Sequence, residues 1–171
     1  VSGPHSEYIV FVEGGDALAE KMSLVLAVAL SSIKGYHDDK YDKVSFIKNL
    51  LLDNILPGDI YVKSRELHLA TDVERVVFLI RILSGAETSP YDIILNLFPN
   101  SGSDYVISTG EKEIVLVREL KPGTDKEELE KTATMIADTL AAEFYTKVSI
   151  GIGSAVDNMK DISRSYREAQ A

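Results

Sequence analysis

The groups able to do chemistry in this chain are few in kind. It has 27 aspartates and glutamates, three histidines and no cysteine, so disulfides, thiolate metal sites and a cysteine nucleophile are excluded. His5, His37 and His68 stand in separate segments, without the short spacing to one another or to carboxylates that a metal site needs, and read as surface or boundary residues. Glu13-Gly14-Gly15-Asp16 has the makings of a backbone nest for an anion, but neither G-x-x-x-x-G-K-[ST] nor G-x-G-x-x-G occurs, so a capped turn is the better reading. Asp38, Asp39 and Asp42 read as a solvated bend. No G-x-S-x-G occurs, and no serine has a positioned histidine to activate it. Thr109-Gly110-Glu111-Lys112 is a charged turn between two short strands.

The elements that must position that turn follow from periodicity. Tyr8-Ile9-Val10-Phe11-Val12 is a short strand closed by Gly14-Gly15. From Asp16, a good N-cap, a helix runs to about Tyr36 with Leu18, Met22, Val25, Leu26, Ala29, Ile33 and Tyr36 on one stripe. Gly35 and His37-Asp38-Asp39-Lys40 weaken it before a second helical pattern, Val44, Ile47, Leu50, Leu51 and Ile55, which Pro57-Gly58 stops. Asp59 to Leu67 is a shorter amphipathic segment with Ile60, Tyr61, Ser64 and Leu67 at helical spacing.

Beyond residue 72, strands alternate with helices. Arg75 to Ile82 is a continuous branched apolar run, as in a central strand buried on both faces. Ser89-Pro90-Tyr91-Asp92 starts a helix that runs to about Phe98. Asp104–Ser108 and Glu113–Arg118 form a hairpin, Thr124 and Glu127 a capping box, and Leu129 to Phe144 a helical face. Lys147 to Gly153 is a strand with one buried face, and a last helix from about Asp157 turns Met159, Ile162, Tyr166 and Ala169 inward. The order is the βαββαβ of an α+β, ferredoxin-like palm preceded by a helical connector. It places first and last strands side by side at the sheet centre and both helices on one face. The leading helices are left to cover the other face, to pair with another chain, or both. The expected organisation is 1–41, the end of an upstream domain plus a long connector helix, and 42–171, the α+β domain with its leading helices.

Composition bounds the rest. At 171 residues the chain can bury a real core, and 45% apolar with 26% charged residues is globular rather than disordered. A formal net charge of −9 repels phosphate backbones, so this segment is a poor candidate for gripping nucleic acid. The longest wholly apolar run, Leu24 to Leu30, falls far short of the ~20 residues of a membrane span. Val1 opens no signal peptide, and the expectation is a cytoplasmic fragment of a longer protein with no membrane partner.

The turn and the late glycine strand carry a resemblance. Thr109-Gly110-Glu111-Lys112-Glu113-Ile114 lies where diguanylate cyclases have Gly-Gly-Asp/Glu-Glu-Phe, and Val148-Ser149-Ile150-Gly151-Ile152-Gly153 is similar to their later "SIG" strand. Gly110 and Glu113 fit; Glu111 replaces the second glycine, Lys112 replaces a metal-binding acid, and Arg81 stands near the place of the other acid. The resemblance therefore implies a degenerate GGDEF-like palm with no catalytic, cofactor or metal residues and no cofactor: not an enzyme. Phe46–Asn54, Arg65-Glu66-Leu67-His68-Leu69, Arg75-Val76-Val77, Ser149–Gly153 and Ser165-Tyr166-Arg167-Glu168-Ala169 together resemble the GGDEF-like central domain of PucR/CdaR-type bacterial transcriptional regulators, over about residues 42–171. That family places a sensor before this domain and a helix-turn-helix after it. The implied role is a homodimeric relay between an effector-binding sensor upstream and a DNA-binding domain downstream, DNA being touched only through the latter. The alternative is a module that retains the palm pocket to sense a nucleotide or small molecule, with Lys112 and Arg81 as anion partners.

Overall fold

The computed structural model describes residues 2, 3, 6, 7, 9, 11–85, 89–99 and 102–171, in two compact units, Val1–Asp42 and Lys43–Ala171. In the first unit, β1 (Ser2–Gly3) pairs antiparallel with β2 (Ser6–Glu7). Of the strand expected over 8–12, Ile9, Phe11 and Val12 belong to no strand, and Tyr8 and Val10 lie outside the described residues. Ile9 and Phe11 are exposed, so no buried face fixes them in a sheet.

Helix α1 spans Ala17–Leu51. Its start is the one Asp16 predicts, since the Asp16 carboxylate accepts the Ala19 N–H at 2.8 Å. The expected interruption at Gly35 and residues 37–40 does not occur. A helical glycine costs only about 1 kcal/mol, and Lys34/Asp38 and Asp39/Lys43 are opposite charges four residues apart, a spacing that supports a helix. Asp38, Asp39 and Asp42 are thus helical and do not form a bend.

The second unit continues with α2 (Pro57–Glu66), β3 (Arg75–Ser84), α3 (Pro90–Leu97), β4 (Asp104–Gly110), β5 (Glu113–Glu119), α4 (Lys126–Phe144), β6 (Lys147–Ile152), a one-turn 3-10 helix (Met159–Asp161) and α5 (Ile162–Gln170). The sheet order is β4-β5-β3-β6, all neighbours antiparallel. This is the expected α+β palm with one correction. First and last strands are neighbours, but β6 lies at the edge, and the second hairpin strand, β5, shares the centre with β3. An antiparallel ladder lets the hairpin fold back beside β3 on one side and leaves only the other side for β6.

Period-2 alternation splits β3 between two cores. Val76, Phe78 and Ile80 pack with Ile94 of α3 and with Ile136 and Leu140 of α4. Val77 and Leu79 face the other way, onto Ile47 and Leu50 of α1, Ile60 of α2, and Ile162 and Tyr166 of α5. The leading helical residues 44–60 therefore cover the second sheet face. Tyr61, expected on that stripe, is exposed.

Two caps differ from expectation. Asp125, not Thr124, caps α4, accepting the Glu128 N–H at 2.9 Å; the Thr124 N–H closes the preceding turn on the Lys121 carbonyl. Ser89 occupies the N-cap position of α3, but its hydroxyl makes no cap bond. Among the described residues no helix is long and apolar enough to cross a membrane.

Candidate functional site

The turn singled out by sequence sits at one end of the sheet. Gly110 pairs with Glu113, so Glu111 and Lys112 form a two-residue loop, and a register shift between Ser108 and Gly110 leaves Thr109 as a bulge. The Ser108 hydroxyl donates to the Gly110 carbonyl at 3.0 Å, bracing the bulge, whereas the Thr109 hydroxyl is buried without a partner. The Lys112 carbonyl accepts the Ile82 N–H at 2.9 Å, which fixes the loop against the end of β3.

Arg81 is directly opposite Glu113 in the β3–β5 register. Its Nε donates to Glu113 Oε1 at 3.2 Å, and one of its terminal nitrogens donates to the Gln170 carbonyl in the last turn of α5 at 3.2 Å. A guanidinium with two acceptors already in place, side chain 45% exposed, is a tether first. Lys112 and Glu111 are exposed in the loop. Lys48 of α1 reaches the same bulge: its ammonium donates to the Ser108 carbonyl at 2.8 Å. At the strand end the Glu113 carboxylate is engaged by the Arg81 guanidinium, and in the loop the Lys112 ammonium offsets its neighbour Glu111, so this set of residues does not fit a two-metal site.

The glycine strand and Ser-Tyr-Arg-Glu-Ala turn out to be two halves of one joint. A Cβ at Gly151 would collide with the Ala169 carbonyl, and one at Gly153 with the Ser165 carbonyl and hydroxyl; only glycine lets the α5 backbone lie so close to β6. Where β6 ends, Ser165 takes over its ladder role. The buried Ser165 hydroxyl accepts the Val77 N–H at 3.1 Å, while the Val77 carbonyl accepts the Gly153 N–H at 2.9 Å. Glu168 accepts the Ser154 N–H at 2.8 Å. Hydrogen bonding by Ser154, hydroxyl and backbone, holds its carboxyl below the usual glutamate range, with Arg164 and Arg167 adding to the effect.

At the opposite end of the sheet two arginines, which sequence reading left unassigned, anchor loops. Arg75 is 1% exposed and donates to the Ala70 carbonyl at 2.8 Å and to Glu119 at 3.4 Å. Burial pushes its pKa down, opposed by Glu119. Arg118 donates to the Thr132 hydroxyl at 3.0 Å, lies 5.4 Å from the Phe98 ring centre and approaches Asp104 at 3.9 Å. Asp104 nevertheless sits above the usual aspartate range, because burial outweighs Arg118. The sequence signal for Arg75 was a charge opening the apolar run Val76–Ile80.

The histidines stay apart. His37 lies on α1 with its ring edge-on to Tyr36, His68 takes a left-handed backbone at φ 53°, and His5 lies outside the described residues. Among the described residues no three His, Asp or Glu side chains gather as a metal site would require. Glu13 to Asp16 is the entry to α1, with Asp16 spent on the helix cap.

Compared with known proteins, residues 54–171 match a family model described as a GGDEF-like domain. No curated protein matches the chain.

Proposed function

The chain belongs to the GGDEF-like domain family, and from that we propose that it is a non-catalytic regulatory and dimerisation domain of a PucR/CdaR-like transcriptional regulator. It works in the cytoplasm and relays the state of an upstream effector-binding sensor to a helix-turn-helix domain downstream.

The observation that carries this reading is Arg81. It stands at the strand end facing the loop, bonded to Glu113 and to the Gln170 carbonyl, with Lys112 in the loop beside it. Phosphodiester synthesis from a nucleoside triphosphate needs cations to neutralise phosphate charge and to activate the attacking hydroxyl, and cations need carboxylate oxygens at this place. Arg81 instead takes up the Glu113 carboxylate at the strand end, and Lys112 puts a second positive charge in the loop next to Glu111. Incubating the protein with GTP and Mg²⁺ tests the point: no cyclic dinucleotide is expected, and measurable turnover would overturn the reading.

The dimer half of the proposal rests on α1. Residues 22–33 carry no charge, and Leu18, Met22, Val25, Leu26, Ile33 and Tyr36 are exposed. Pairing with a second copy would bury that stripe without opposing like charges. Light scattering coupled to size exclusion should give a dimer mass; a monomer at high concentration would remove this half and leave the regulatory half standing.

A second reading draws on Lys112, exposed at the loop: a sensing module for a nucleotide or small anion. Calorimetry with GTP, cyclic dinucleotides and sugar diacids separates the two. Saturable heat lost in Lys112→Ala would favour it, and silence across the panel would sink it.

A further inference from the structure

The polar contacts at the loop end of the sheet form a chain. Lys48, near the end of α1, donates to the Ser108 carbonyl at 2.8 Å. That carbonyl belongs to the bulge where β4 loses register with β5. Across the loop, Glu113 opens β5 and accepts from Arg81, whose second donor goes to Gln170 in the last turn of α5. The geometry points to the β4–β5 hairpin as a joint that couples the end of α1 to the end of α5. This rests on the relay reading above and specifies its path within the domain.

Three features make the joint mechanical. The contacted bulge interrupts the β4–β5 ladder, so a pull on Ser108 is passed to the loop rather than spread along the strand pair. Both charged contacts span elements remote in sequence, 60 residues for Lys48 to Ser108 and 89 for Arg81 to Gln170. Arg81 meets the carbonyl end of α5, where a cation interacts favourably with the helix dipole. A displacement of the α1 end that pulls Ser108 moves the loop, moves Glu113 with it, and loosens or tightens Arg81 on α5. The apolar face shared by α1 and α5 holds the two helices on one sheet; the polar chain transmits small shifts between their ends.

Hydrogen–deuterium exchange on the full chain tests this with Lys48→Met, Arg81→Gln and the double variant. Amides 167–170 should exchange about two- to fivefold faster in either single variant, the range that partly exposed charged contacts of this strength allow. In the Arg81→Gln background, Lys48→Met should add nothing at those amides, because the path is already cut. Lys63→Met, a lysine change on α2, should leave them unchanged. Independent, multiplicative effects of the two variants would overturn the joint, as would an unchanged α5 in Lys48→Met. Unchanged circular dichroism melts guard against global loosening. GTP turnover would sink the regulatory reading without altering this exchange pattern, so the two failures are distinguishable.

Discussion

Residues 18–36 and 44–51 of α1 carry apolar side chains at the same helical spacing and meet opposite fates. In the first stretch Leu18, Met22, Val25, Leu26, Ile33 and Tyr36 are between 42% and 66% exposed. In the second, Phe46, Ile47, Leu50 and Leu51 are at most 5% exposed and share a core with β3, β5 and α5. The pattern on a helix fixes which face avoids water, not what covers it. In the second stretch the cover is the domain's own sheet; for the first, the proposed cover is another copy.

That contrast is tested most severely where the fold is closed tightest. Gly153→Val sets a branched side chain against the Ser165 backbone, so α5 cannot dock on β6. It should cost about 4 kcal/mol or more, an exceptional value reserved for such collisions, read as a fall in urea midpoint. A loss below about 1 kcal/mol would mean that α5 is a loose cover over the core it shares with the second stretch.

Next in size is a paired truncation on α1 itself. Ile47→Ala should lose about 3 kcal/mol through lost burial and the cavity left behind. Leu26→Ala, measured at concentrations where the chain is monomeric, should change stability by less than about 0.5 kcal/mol. On dilution in light scattering, however, it should weaken the dimer about tenfold or more, the effect of losing a Leu from each helix. Equal losses at the two positions would erase the distinction between the stretches.

Ser165→Ala is smaller and finer. It removes no apolar contact but leaves the buried Val77 N–H without its acceptor, which should cost about 1–2 kcal/mol in the same urea measurement. A neutral result would show that the hydroxyl merely fills space where β6 ends.

How much of this was legible from sequence divides along the range of the interactions. Helix and strand order, the two faces of β3 and the inward residues of the 3-10 turn and α5 follow from local periodicity, so Met159, Ile162, Tyr166 and Ala169 are buried as expected. The break expected at Gly35 and His37-Asp38-Asp39-Lys40 does not occur, because the ion-pair spacing around that stretch supports a helix its residue types alone do not favour. The α4 cap moved from Thr124 to Asp125, a one-residue choice between two competent acceptors. The edge position of β6 required the antiparallel ladder to be followed to its end. Lys48 on Ser108 and Arg81 on Gln170 leave no local trace at all, since nothing in a neighbouring residue marks a contact made across the fold. The glycine strand and Ser-Tyr-Arg-Glu-Ala were recognisable as motifs, yet only the structure shows them to be a single docking surface.

The smallest expected effects are those of two carboxyls displaced in opposite directions. Asp104 is raised by burial, so its ionised form is less favourable folded than unfolded. The penalty is fully present above the folded pKa and disappears as pH falls below the unfolded value, so this group makes the domain relatively more stable in acid. Glu168 is exposed and lowered by hydrogen bonding from Ser154; its contribution is present above the unfolded pKa and is lost as pH falls through the folded one. Carboxyl carbon NMR titration should find Glu168 below, and Asp104 above, their ordinary ranges. Asp104→Asn should flatten the first part of the pH–stability curve, and Glu168→Gln should remove a modest acid-side loss while loosening the Ser154 amide in exchange. If both carboxyls titrate normally, neither Asp104 beside Arg118 nor the α5 joint is held as described, and the contrast between covered and uncovered regions rests on apolar packing alone.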